Sequence, residues 1–232
     1  MIVYNGRDIR SVANVKIEDI TVSPIQINPV ARERAIQFGA DFVRNRGGTR
    51  TVTVSFALLD SNIEQRQRGL LYLSEWAKTD KEYQIELQSQ PLYYLTGVCT
   101  QKPDMTTRKW WENKLKLVFT CFDNPFWTSI AEKTASFGTQ FLVYGDAPPL
   151  MRIERTLSAA ASNQSYSDGT NTMTFSTIPA GSLVIDLNKQ TAAVGNSSIM
   201  QYYAPAGKFI IPKAGAQTLT GTGTIKYRER FE

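Results

Sequence analysis

The sequence predicts a mainly β fold with one α-helix, organised as two domains. Three observations carry this reading. Apolar residues recur with a period of two through most of the patterned segments: Leu115, Leu117, Phe119 and Cys121 in LKLVFTC, and Val52, Val54, Phe56 and Leu58 in TVTVSFALL. That period marks half-buried strands. One stretch alone, opening at Ser61, has helical spacing. Beyond about residue 136, short strand signals separated by turn signals run without a helix among them, as in a β-sandwich. At 232 residues the chain is long enough for one large β domain or two small ones. The periodicity lapses at 128–148, which divides the chain into domains at about 1–130 and 136–232.

In the first half, a short apolar strand at Ile2 to Tyr4 meets Asn5 and Gly6, a strong hairpin signal, and continues through Val12 to Ile20. Pro24 and Pro29 interrupt the next segment, and an arginine-rich stretch reaches Gly47 and Gly48. Residues 24–48 therefore read as an extended arm or long hairpin outside the core, since a long segment without core periodicity is usually functional or assembly-related. After the strand TVTVSFALL, Ser61 and Glu64 have capping-box spacing, predicting a helix over about 61–78. Ile63, Leu70, Leu73, Trp76 and Ala77 form its apolar stripe, with Trp76 as a core anchor. Tyr83, Ile85 and Leu87 resume the period of two, LYYLTGVCT follows Pro91, and the strand at 114–121 closes on Asp123, Asn124 and Pro125.

In the second half, Pro148 and Pro149 open strands at 151–157, 173–175, 209–211 and 225–227. Residues 158–172, SAAASNQSYSDGTNT, read as a polar loop. Leu183, Ile185 and Leu187 alternate, 188–190 supply a turn, and 192–194 return as the second arm of a hairpin. Gly221 and Gly223 lack the third glycine of a dinucleotide-binding loop and mark a turn or bulge.

The composition excludes much chemistry. There is no histidine in the chain, which removes Ser-His-Asp, Cys-His and histidine-ligated metal sites together. Two cysteines make neither a Cys₄ zinc site nor a disulfide framework, and Cys99 and Cys121 both fall on apolar strand faces as buried thiols. Carboxylate pairs, Ser-Lys dyads and oxygen-ligated calcium remain open, but no DxDxDG, SxxK or GxxxxGK[ST] motif is present. The reading is a non-enzyme without cofactor or metal. No apolar run approaches the ~18 residues of a membrane span, so no membrane insertion is expected. The N-terminus also lacks a secretory signal pattern, which points to synthesis in a cytoplasm. The net charge is +5, and Arg32, Arg34, Arg44, Arg46 and Arg50 crowd one stretch against Glu33 and Asp41. Planar guanidinium groups suit phosphate, but no aromatics interleave with them as single-strand binding requires. A solvated or inter-subunit loop is the simpler reading.

The ordered series of elements resembles the siphophage distal tail proteins. It comprises an early hairpin, an arm, a strand led by Gly48 and Arg50, an amphipathic helix ending at Trp76, PLYY at 91–94, and a hydrophobic strand closing on Asn124 and Pro125. From about residue 136, Ala180 and Gly181, SLVIDLNKQTAAV, a small-polar loop and KYRERF are similar to that family's second domain. The resemblance implies a ring-forming N-terminal domain and a C-terminal galectin-like β-sandwich. It also implies a homo-hexameric hub at the virion tail tip, joining the tail tube to the adsorption apparatus and letting DNA pass without sequence recognition. Its partners would be the chain itself, the major tail tube protein, the tape measure protein and tail-associated or receptor-binding proteins. Arg32, Arg34, Phe38, Phe42, Arg44 and Arg46 are the candidate inter-subunit arm residues. Two readings compete with the hub: a carbohydrate-binding module for host-surface saccharides, and a glycoside hydrolase working through two carboxylates. Tyr202 and Tyr203, between a small-polar loop and Pro205 in an exposed-looking setting, are the candidate saccharide contacts. All four tryptophans lie in the first half, which weakens the saccharide reading.

Overall fold

The computed structural model describes residues 1–33, 40–103, 115–204 and 206–232, with side chains described except at 27–33 and 40–47. The fold is mainly β with one helix, as the alternation predicts. Two compact units divide it: Met1–Trp127, joined by the terminal Glu232, and Thr128–Phe231.

In the first unit, β1 (Ile2–Tyr4) and β2 (Arg7–Asp8) form a tight hairpin. Its two turn residues, Asn5 and Gly6, have φ of 52° and 70°. Both lie in the left-handed region that a mirror-image turn demands, which Asn-Gly supplies at least cost. Next come β3 (Val15–Val22), β4 (Gln26–Glu33), β5 (Ala40–Leu58), α1 (Ile63–Trp76), β6 (Tyr83–Leu87), β7 (Tyr93–Gln101) and β8 (Leu115–Cys121). Pairing is antiparallel throughout, in the order β2, β1, β6, β7, β8, β5, β3. The first half of β5 pairs with β4 and its second half lies between β3 and β8. Val52, Val54, Phe56 and Leu58 are buried, as are Leu117, Phe119 and Cys121, so both alternations point to one core.

Helix α1 lies on that core through Leu73, Trp76 and Gly69. Tyr4 sits at the centre of an aromatic nest, its ring centroid 4.8 Å from Phe119, 5.5 Å from Tyr83 and 5.6 Å from Trp76. The two polar tips are satisfied: Tyr4 Oη donates to Lys78 O at 2.9 Å and Trp76 Nε1 to Arg7 O at 2.9 Å. Trp76 is the expected anchor. Two details of the helix differ from the sequence reading. The N-cap is Asn62, whose Oδ1 accepts from Glu64 N at 2.9 Å, not Ser61. Asn62 is the residue with extended backbone immediately before the first helical turn, so its short side chain reaches the orphan amide. Ile63 is exposed, because the buried face is centred on Gly69, Leu73 and Trp76, about a third of a turn away.

Strand β9 (Trp127–Ser129) spans the junction of the two units. The second unit contains β10 (Lys133–Ser136), β11 (Phe141–Val143), β12 (Ala147–Leu157), β13 (Ala161–Ser167), β14 (Thr172–Ile178), β15 (Gly181–Asp186), β16 (Thr191–Val194), β17 (Ser197–Ser198), β18 (Gly215–Gln217) and β19 (Thr224–Phe231). Its larger sheet runs β17, β16, β15, β12, β19, β10. Hairpin β13–β14 and the pair β11–β18 form two smaller sheets. Tyr166, Met173, Phe175 and Ile178 of the hairpin share one buried cluster with Met151, Ile153, Leu183, Ile185, Ile225 and Tyr227 of the larger sheet. The larger sheet, the hairpin and, through Val143, the β11–β18 pair thus share one core.

Two expectations need correction. Residues 158–172 are not a loop: 161–167 form β13, turned back by Asp168, whose Oδ1 accepts from Thr170 N at 2.8 Å and Asn171 N at 2.6 Å. Residues 209–211 form no strand; Ile210 is buried by packing alone. Residues 128–148, where the pattern lapses, hold β10 and β11. Gly221 and Gly223 do precede a strand at a crowded turn, with φ of 149° and 116°. A Cβ at Gly221 would stand 2.5 Å from the Tyr166 ring, which is why the position takes no side chain.

Candidate functional site

The described backbone of the candidate arm is an antiparallel ladder. Strand β4 pairs with the first half of β5 in a ladder that sets Asn28 opposite Arg46, Val30 opposite Arg44, Ala31 opposite Phe42 and Arg32 opposite Asp41. The register slips twice, between Gln26 and Asn28 and between Val30 and Ala31. Such slips bend and twist a ribbon. Arg34 and Phe38 fall outside the described residues. Arg50, counted with the basic stretch in the sequence, belongs elsewhere: it is buried, with its guanidinium carbon 6.0 Å from the centre of the Trp127 ring. It faces the core because it lies in register with Cys121, past the point where β5 leaves β4 and enters the sheet.

Tyr202 and Tyr203 are not fully exposed. Tyr202 ends a single 3₁₀ turn, Met200–Tyr202, and both residues are half-buried against the core of the second unit. The Tyr203 ring meets Phe175 edge-on at 5.6 Å and Phe209 at 5.0 Å. Burial raises its phenol pKa. The sequence missed this because Phe175 and Phe209 are distant in the chain and only the fold gathers them.

Both thiols are free and buried, and desolvation raises both pKa values, Cys121 to about 12. A thiol held protonated is a poor nucleophile. Among the described residues, no cluster of three or more metal-ligating side chains occurs. Two open grooves of the first unit flank the last turn of α1. One, about 480 Å³, lies between Leu71, Ser74, Lys78, Asp80 and Lys102; the other, about 330 Å³, lies between Tyr4, Arg7, Tyr72 and Trp76. Leu71 and Tyr72 are each 54% exposed beside them. Glu75, Lys78, Asp80 and Lys102 alternate in charge around the first groove, where Lys102 Nζ donates to Ser74 O at 2.8 Å.

No protein-family model and no curated protein matches the chain. Solved structures do. The crystal structure of the Dit protein of phage SPP1, described as a paradigm of hub adsorption apparatus in phages infecting Gram-positive bacteria, aligns over 100% of this chain and 98% of its own, with 18% identity and a TM-score of 0.78. The chain has the fold of that Dit protein. Chains of the phage p2 baseplate in its activated conformation, with Sr and with Ca, align over 94% of this chain and 91% of theirs. Their identities are 9% and 8% and their TM-scores 0.49 and 0.47, too low to add to the assignment. The resemblance drawn from the order of elements holds as a likeness of fold.

Proposed function

We propose that this chain is a structural component of a phage tail tip, a distal tail hub whose copies close into a homo-hexameric ring. The ring connects the tail tube to the adsorption apparatus and lets DNA pass without reading its sequence. The observation that carries the proposal is the fold likeness to the SPP1 Dit protein, which extends across both units and leaves almost nothing of either chain unmatched. The second unit, whose larger sheet and smaller sheets share one core, corresponds in this reading to a galectin-like sandwich. The first unit supplies the ring, with the β4–β5 hairpin reaching a neighbouring copy. A head-to-tail contact that closes gives a ring, whereas one that does not gives filaments. The remaining partners in this reading are the major tail tube protein, the tape measure protein and the receptor-binding machinery, and the chain works without catalysis or cofactor.

A saccharide-binding role for the second unit has less support, because the Tyr203 ring already packs against Phe175 and Phe209. Light scattering and negative-stain imaging of the purified chain test the hub. Six-subunit rings at micromolar concentration are expected; a monomer at every concentration overturns the proposal.

A further inference from the structure

One group of charged side chains in the second unit does more than decorate its surface. Arg152 on β12 and Lys226 on β19 are direct cross-strand partners, on the face turned away from the core residues Ile153, Ile225 and Tyr227. Arg228 follows two positions along β19 on the same face. Like charges set opposite one another across a ladder repel, and these side chains are only 30–38% exposed, so solvent screens them incompletely. Asp186, opposite Arg152 on β15, is occupied elsewhere: its Oδ1 accepts from the turn amides of Asn188 and Lys189. Glu154 on β12 answers part of the charge, with Oε1 2.6 Å from Arg152 Nε and Oε2 2.7 Å from Lys226 Nζ.

The second answering carboxylate comes from neither strand. Glu132 precedes β10, and it meets Arg152 with both oxygens, Oε1 to Nη1 at 2.8 Å and Oε2 to Nη2 at 3.0 Å. It also lies 3.7 Å from Arg228 Nε and 3.9 Å from Lys226 Nζ. Two oxygens facing two guanidinium nitrogens is the strongest geometry open to this pair. Arg228 completes the hold from the other side, donating Nη1 to the carbonyls of Ser129 (3.1 Å) and Ile130. The next residue, Lys133, is tied separately to Glu229 at 2.7 Å.

We infer that Glu132 is an electrostatic clasp that straps residues 130–132, the link between β9 and β10, to the charged side chains on the outward face of β12 and β19. Its carboxylate holds one end of the strap and Arg228 holds the carbonyls along it. Without that carboxylate, Glu154 would be the one remaining carboxylate paired with any of these three cations among the described residues. The strap would then lose its anchor while the sheet beneath, built on apolar packing, stayed closed.

Hydrogen–deuterium exchange of the full chain reads this directly. In the E132Q protein, the amides of residues 130–133 should exchange about tenfold faster than in the unaltered chain, with those of β14 and β15 unchanged. Raising salt from 0.05 to ~1 M should speed the same amides in the unaltered chain and have little effect in E132Q, because the screening length falls from above 10 Å to about 3 Å. Arg228→Lys retains a cation beside Glu132 but not the forked hold on the carbonyls, and should give the same local acceleration; should E132Q fail to fold, this variant decides. Unchanged exchange at 130–133 overturns the clasp. So does equal acceleration across β14 and β15, since the network would then be holding the whole unit and not a strap.

Discussion

Single residues in the first unit are tuned for burial and not for reactivity. Cys121 has its thiol pushed up to about 12 by desolvation, then by the nearby Glu82 carboxylate, against an opposing influence from Arg50; Cys99 moves the same way. The fold therefore favours the protonated thiol. Below the ordinary value of 9.0 both states keep their protons and this contribution is fully present. As pH rises from about 9 towards 12 the unfolded chain ionises first, so stability falls across that window. Burial raises the Tyr4 phenol as well, which adds to the alkaline loss. A thiol reagent at pH 8 should accordingly find neither cysteine in the native chain and both in denaturant; rapid labelling of the native chain would contradict the buried setting. In the second unit the residue to test is Tyr203. Replacing it with alanine removes a ring wedged between Phe175 and Phe209 and should cost about 2 kcal/mol or more in denaturant unfolding, with Tyr203→Phe far milder. The phenylalanine variant is thus the right probe of saccharide contact, since titration of the full chain with host-wall sugars then reads the hydroxyl without disturbing the core.

At the level of elements, legibility followed the strength of the alternation. Strand β8 and the second half of β5 were readable because every second side chain is large, apolar and buried against one cluster. Hairpin β13–β14 was half hidden: β13 offers one large apolar residue, Tyr166, among serine, asparagine and glutamine, and its outward hydroxyls look like loop chemistry. Residues 209–211 gave the opposite error, since an apolar triplet buries Ile210 without any ladder. The candidate arm was legible as a segment, though Arg50 was not separable from it, because nothing local tells where β5 passes from hairpin to core sheet. The helix start was misplaced by one residue, as two adjacent residues, Ser61 and Asn62, are both good caps. That ambiguity is testable: Asn62→Ala should cost about 1 kcal/mol in thermal or denaturant unfolding and Ser61→Ala close to nothing. A loss at Ser61→Ala with none at Asn62→Ala would return the cap to Ser61.

On the scale of the whole molecule, what the sequence carried best was order. No single motif identified the fold, yet the succession of hairpin, arm, strand, helix and closing strand matched that of a solved Dit chain across its full length at 18% identity. Low identity with preserved order is what cores built on interchangeable apolar residues permit. Assembly, in contrast, depends on surfaces that alternation does not report. The hub proposal makes one further demand at this scale: deleting residues 30–46 and joining the ends should leave circular dichroism close to that of the intact chain while sizing chromatography shows the ring lost. If the deletion unfolds the first unit instead, the hairpin belongs to its core.

Strand β5 has a mechanical consequence. It is one uninterrupted run of 19 residues that begins beside β4 and ends between β3 and β8. A pull on the hairpin along its axis travels through covalent backbone into a strand held on both edges, where the ladder bonds lie across the load and resist together. Unzipping, by comparison, breaks such bonds one at a time. A tug delivered at the hairpin is thereby shared by the ladders on both edges of β5.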